Sequence, residues 1–149
     1  MSMKRRTINR RDFVRSLPVL PTGLLLGASA LSLTACGGVA YLAPRGSENR
    51  LLVAAAQVPE SGVLLQRPGM EYPVFVHRTE QGEYVALLAR CTHRGCQPDP
   101  LGDRLVCPCH GSEFDLEGQV LQGPAERALL RFRVAREGED VVVELQGVG

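Results

Sequence analysis

The chain has 149 residues, enough for one folded domain; with no tryptophan and 5% aromatics, its core must be built from Val, Leu and Ala. The formal net charge of +1 hides a division: residues 1–35 carry Lys4, Arg5, Arg6, Arg10, Arg11 and Arg15 against Asp12 alone, leaving 11 of the bases and 15 of the acids, a formal −4, for the remainder. A mildly acidic body gives no electrostatic footprint for nucleic acid, and that class of partner is set aside.

At the N-terminus, "NRRDFVRSL" sets paired Arg10 and Arg11 before an apolar run from Leu17 to Ala35, with Phe13 and Val14 at the apolar positions after the pair. This resembles a twin-arginine export signal, which would place the body in the bacterial cell envelope, on the periplasmic face of a membrane. The run ends in Leu33-Thr34-Ala35-Cys36-Gly37, which resembles a lipoprotein box in which Cys36 takes the lipid. A second reading keeps residues 17–35 as one spanning helix, since a bilayer needs roughly 20 residues. Residues 1–36 are thus an address and a tether. Residues 37–50, "GGVAYLAPRGSENR", mix small, Pro and polar residues without a period and read as a flexible linker to a domain over 51–149.

After Arg50 the pattern is β. "LLVAAAQV" (51–58) is a first strand weakened by its alanines; "YPVFVHR" (72–78) and "EYVALLAR" (83–90) flank the turn "TEQG" as a hairpin. His77 alternates with Phe75 in that hairpin and reads as a surface strand residue. "RLVC" (104–107) and "QVLQG" (119–123) are short strands, and "LLRFRVAR" (129–136) and "DVVVEL" (140–145) close the chain as a second hairpin. No stretch after residue 50 offers a capped, 3.6-period helix. The expected fold is all-β, a small antiparallel sandwich or barrel with two metal-binding loops at one end.

Those loops carry the chemistry. Four of the five cysteines and two of the three histidines fall between Cys91 and His110. Cys91-Thr92-His93 and Cys107-Pro108-Cys109-His110 each offer one Cys and one His, a donor set for a bound metal. Two Cys and two His could hold zinc tetrahedrally. Zinc modules, however, usually draw like ligands from each half, and zinc leaves Cys96 and Cys109 unexplained; a structural zinc module stays as the remote alternative.

CTHRGC (91–96) and CPCHGS (107–112), with "GPA" at 123–125, resemble the Rieske family, and within it the disulfide-containing branch of cytochrome bc complexes and related respiratory proteins. The resemblance implies a 2Fe–2S cluster with Cys91 and Cys107 on the inner iron and His93 and His110 on the outer one. It implies a disulfide between Cys96 and Cys109, admissible in an exported protein, and tight loop positions at Gly95 and Gly111. The export signal agrees, since the twin-arginine route carries proteins already folded around a cofactor. Two positions depart from the family. Arg94 follows the first His, where Leu is common and helps docking to cytochrome b. Phe114 stands where a Tyr would bond a cysteine sulfur, whereas the Ser of that tuning pair is present as Ser112. Arg94 would raise the potential and Phe114 would lower it.

A Rieske oxygenase needs a further iron held by two His and one carboxylate; only His77 is left over, which excludes it. The resemblance therefore implies a membrane-tethered one-electron carrier, a subunit of an oxidoreductase complex rather than a catalyst alone. The leading expectation is the iron–sulfur subunit of a quinol:cytochrome c (or plastocyanin) oxidoreductase, with cytochrome b and quinol on one side and a c-type cytochrome or plastocyanin on the other. The alternative is the small subunit of an arsenite-oxidase-type molybdenum enzyme, bound to its molybdopterin large subunit, or a stand-alone carrier.

Overall fold

The structure, a computed structural model, describes residues 38–146. Arg10, Arg11, Cys36 and the apolar run 17–35 lie outside the described residues. Eleven strands follow one another: β1 (Tyr41–Leu42), β2 (Arg50–Ala54), β3 (Val63–Leu65), β4 (Val74–Arg78), β5 (Tyr84–Leu88), β6 (Asp99–Leu101), β7 (Arg104–Val106), β8 (Glu113–Asp115), β9 (Val120–Gln122), β10 (Arg131–Glu137) and β11 (Asp140–Glu144). A single 3-10 turn, Ala55–Gln57, is the only helical element among the described residues. The expected all-β architecture is what forms.

Seven strands make one sheet in the order β1-β3-β4-β5-β10-β11-β2, and four make a second, β6-β7-β8-β9. Every pair is antiparallel except β1 with β3. Strand β10 curls the large sheet: Arg131 and Phe132 pair with β5, and Arg133 to Glu137 pair with β11.

Two apolar cores share the strands β3, β4 and β5, one on each face. Because side chains alternate along a strand, Val63, Val76 and Ala86 align across the three strands and face a core completed by Leu51, Val53, Phe132, Val141 and Val143. Leu64, Phe75 and Leu87 align on the opposite face and meet Leu105, Phe114, Ala125 and Leu129, where the small sheet and its loops cover them. Cys91 and Cys107 belong to this second core.

Three expectations are corrected. His77 is buried, not at the surface: it shares the face of Phe75, as the alternation required, but that face is covered, and its Nε2 lies 3.0 Å from the Leu116 carbonyl. An imidazole Nε2–H donating there ties the large sheet to the small one. The stretch read as a flexible linker is fastened. Leu64 and Gln66 donate backbone N–H bonds to Ala40 and Leu42, Arg45 exchanges two with Leu52, and its guanidinium meets Asp140 at 2.6 Å. The strand read over 51–58 ends at Ala54, where the alanine run turns into the 3-10 segment.

Gly62 shows how closely the second core is filled. Its φ is +80°, and a Cβ there would lie 2.2 Å from Phe75 Cε2. Gly82, in the β4–β5 turn, has nearly the same φ (+82°) with nothing within 4 Å. Gly62→Ala should therefore cost roughly 2 kcal/mol or more beyond Gly82→Ala in denaturant unfolding, since both pay for the backbone and only one for overpacking. Equal losses would show that Phe75 yields freely.

Candidate metal centre

Two loops built on one plan close over the second core. In the loop between β5 and β6, Cys91 N–H donates to Cys96 O at 2.7 Å and Gly95 N–H donates back to Cys91 O at 2.8 Å. In the loop between β7 and β8, Cys107 N–H donates to Ser112 O at 2.8 Å and Gly111 N–H donates to Cys107 O at 3.0 Å. Each loop thus returns to its starting cysteine after five residues, and the return demands a left-handed residue: φ is +81° at Gly95 and +75° at Gly111. Backbone conformation is the reason for these glycines; around Gly111 a Cβ would meet nothing within 4 Å among the described atoms.

The plan sorts the donors by depth. Cys91 and Cys107, at the feet of the loops, are buried, with 2% and 1% exposure. His93 is half-buried and His110 exposed. The two imidazole rings stand 4.8 Å apart, edge to face at 88°.

Two features show that this donor set fits a metal. His93 Nδ1 is buried with no hydrogen-bond partner, the only such side-chain N or O among the described residues. A buried lone pair left this way costs about 1–3 kcal/mol unless something accepts it. Burial also pushes the Cys107 thiol up, and the Cys91 sulfur beside it adds to the rise, while the backbone N–H groups of Cys109 and His110 act against it. Burial thus favours the neutral thiol, and the buried sulfurs become thiolates only where a cation offsets their charge. Buried sulfur at the foot and imidazole nitrogen at the rim match the donors of a 2Fe–2S cluster with mixed ligands.

Cys96 and Cys109 form a disulfide between the loops, with Cα atoms 6.4 Å apart. The Cys107 sulfur lies within 4.8 Å of both disulfide sulfurs. That trio is not itself a metal site, because two of its members are bonded to each other.

A third segment, from Gln122 at the end of β9 through Arg127, props both loops and contains the "GPA" of 123–125. Ala125 N–H donates to Ser112 Oγ at 3.0 Å, Gln122 Nε2 donates to Gly111 O at 3.1 Å, and Thr92 Oγ1 donates to Arg127 O at 2.5 Å. Ser112 is fully buried and accepts from Ala125, so its own hydroxyl proton remains free to donate beside Cys107. Phe114 is also fully buried, in β8 opposite Leu105, and brings no donor. Arg94 is exposed at the tip.

The chain matches the family model described as "Rieske [2Fe-2S] domain" over residues 49–136. It is 47% identical over 55 residues to the ubiquinol-cytochrome c reductase iron-sulfur subunit of Rhodobacter capsulatus, covering 34% of this chain and 29% of that one. It is 42% identical over 67 residues to the cytochrome b6-f complex iron-sulfur subunit of Prochlorococcus marinus, covering 44% and 37%. Among solved structures, the plasma membrane Rieske protein PetC3 of the cyanobacterium Synechocystis superposes with a TM-score of 0.50 at 34% identity, covering 56% of this chain and 86% of that one. The match thus spans about a third of the length of these curated relatives.

Replacing both members of the disulfide, Cys96→Ser with Cys109→Ser, removes the clamp without leaving a free thiol beside Cys107. Closing a loop of this length contributes about 3 kcal/mol in the chain-entropy account. The double variant should assemble a centre yet lose its visible absorbance several-fold faster on incubation with a chelator. An unchanged lifetime would mean that the two loop closures suffice.

Proposed function

The chain belongs to the Rieske 2Fe–2S family, and from that premise we propose that it is a membrane-tethered one-electron carrier in which Cys91 and Cys107 hold one iron and His93 and His110 the other. The observation that carries this assignment is the pairing of two buried sulfurs with an unpartnered, inward-facing imidazole nitrogen on loops of common design. When bound, the cluster supplies reversible one-electron chemistry at a potential raised by its two neutral ligands.

The residues divide the work. Cys91 and Cys107 keep the sulfur end dry, which favours localisation of the added electron at the imidazole end. The exposed ring of His110 and the half-buried ring of His93 form the edge through which an electron leaves, and their outer nitrogens can hold or release a proton as it does so. Ser112 offers its hydroxyl proton to sulfur and so stabilises the reduced state; Phe114 cannot.

A place between quinol at a cytochrome b and a c-type cytochrome or plastocyanin is supported by the relatives named as subunits of bc-type complexes. Arg94 and Phe114 support a second reading, a small subunit bound to an arsenite-oxidase-type molybdopterin large subunit, or a carrier working alone. The export-like pair Arg10–Arg11 and the lipid-box Cys36 support attachment on the outer face of a bacterial membrane, in keeping with a relative named as a plasma membrane protein.

An EPR-monitored redox titration of the full chain tests the assignment. A rhombic signal of the mixed-ligand type is expected, with a midpoint in the upper part of roughly −150 to +300 mV. Cys91→Ala, His93→Ala, Cys107→Ala and His110→Ala should each abolish it; an intact native signal in any of the four would break the ligand set. A midpoint near the lower bound would direct the carrier away from high-potential quinol chains.

Phe114→Tyr probes the tuning separately. A new neutral hydrogen bond to sulfur of about 1 kcal/mol corresponds to a rise on the order of 40 mV in a one-electron couple. No shift, or a fall, would show that the hydroxyl finds no sulfur in that core.

A further inference from the structure

Beside His93 an open groove of about 820 Å³ runs between the β5–β6 loop and the segment leading into β10. Its walls carry Arg90, Arg94, Arg127 and Arg131, and no carboxylate lines it. All four arginines are exposed. What sets them apart is that they share one groove with no carboxylate on its walls, since arginines without an ion-pair partner also occur at Arg67, Arg133 and Arg136. Arg45, Arg50, Arg78 and Arg104 each meet an Asp or Glu side chain. In the groove, Arg131 meets Glu117, Arg90 lies over the Tyr72 ring at 5.4 Å from its centroid, and Arg94 and Arg127 have no ion-pair partner among the described residues. The nearest acid along the chain is Glu126, exposed and next to Arg127. The imidazole end is thus cationic on a body whose net charge is negative.

We propose that this groove is the docking surface for a redox partner protein whose own redox centre is ringed by carboxylates. The inference rests on the reading that the electron leaves through His93 and His110, and it deepens that reading by naming the partner's chemistry. The occupant is a protein surface rather than a small anion because every cationic group here is solvated; none is buried as a built anion site would require. Unpaired surface charges of one sign on an oppositely charged body orient an incoming partner and raise its association rate.

The test uses the loaded full chain, chemically reduced, and mixed in stopped flow with two c-type cytochromes, one with an acidic and one with a basic haem edge. Ionic strength runs from about 10 to about 300 mM, which shortens the screening length from about 30 Å to well under 10 Å. At low salt the acidic cytochrome should be reduced faster, and its rate should fall about tenfold across the series. Arg127→Gln and Arg94→Gln should each flatten that slope. Arg136→Gln should not, since Arg136 lies five residues along β10 from Arg131, about 16 Å away. The slope is the readout because a change in cluster potential moves the rate at every salt concentration alike.

A faster basic cytochrome, or a slope untouched by Arg127→Gln, overturns the proposal. So does saturable inhibition by inorganic phosphate at constant ionic strength, which would mark a small-anion site. Hexacyanoferrate(III) separates the two failures: if it takes electrons while the salt slope has the wrong sign, only the docking surface is wrong. If it takes none, the carrier reading falls as well.

Discussion

Everything at the metal end rests on one face of three strands. Leu64, Phe75 and Leu87 align across β3, β4 and β5, and the small sheet lies on them through Leu105 and Phe114. The two cysteine feet are part of that same apolar layer, so the depth at which sulfur sits is fixed by packing rather than by the loops alone. A core of this kind transmits displacement, because close-packed side chains have little room to absorb it. Gly62 matters for that reason although it touches no donor: it leaves room for Phe75.

Above that layer the loops are closed by main-chain bonds, and the same bonds decide which atoms are left to do chemistry. Each foot cysteine spends its N–H and its C=O within its own loop. The amides of Cys109 and His110 then act on the Cys107 sulfur, and the Ser112 hydroxyl, already an acceptor, has only its proton left to give. The segment from Gln122 at the end of β9 to Arg127 holds this arrangement from outside through Thr92, Gly111 and Ser112. Three segments distant in sequence meet here, which makes the site a property of the fold and not of the motif.

The donor set and the all-β class were legible because Cys and His clustered in two short loops and because the β4–β5 and β10–β11 hairpins alternate cleanly around turn residues. Other parts were hidden for physical reasons. β6 contains Pro100, which argues against a strand until Pro100 is seen facing Leu105 at the sheet's edge. β3 is three residues of "VLL" set among Gly, Pro and Ser. His77 was placed on the correct face, but whether a face is covered depends on a second sheet that periodicity cannot see. The linker composition of residues 37–50 was real, yet two residues of edge pairing and one Arg–Asp contact are enough to hold such a stretch down. The arginine groove joins residues 90–95 to 127–131, a long-range meeting that no local pattern announces.

The position of the Cys107 sulfur bears on the order of biosynthesis. Three sulfurs, those of Cys96, Cys107 and Cys109, lie within 4.8 Å of one another. A free thiol at that range from a disulfide can exchange with it, moving the bond to a new pair and releasing a different thiol. A chain oxidised before it receives iron has several ways to close, and those that consume Cys107 lock the cradle shut. A chain that first commits Cys107 to metal has a single bridge left to make. The spacing of three sulfur atoms thus favours one order of events, with Cys107 committed to metal before the bridge between Cys96 and Cys109 closes.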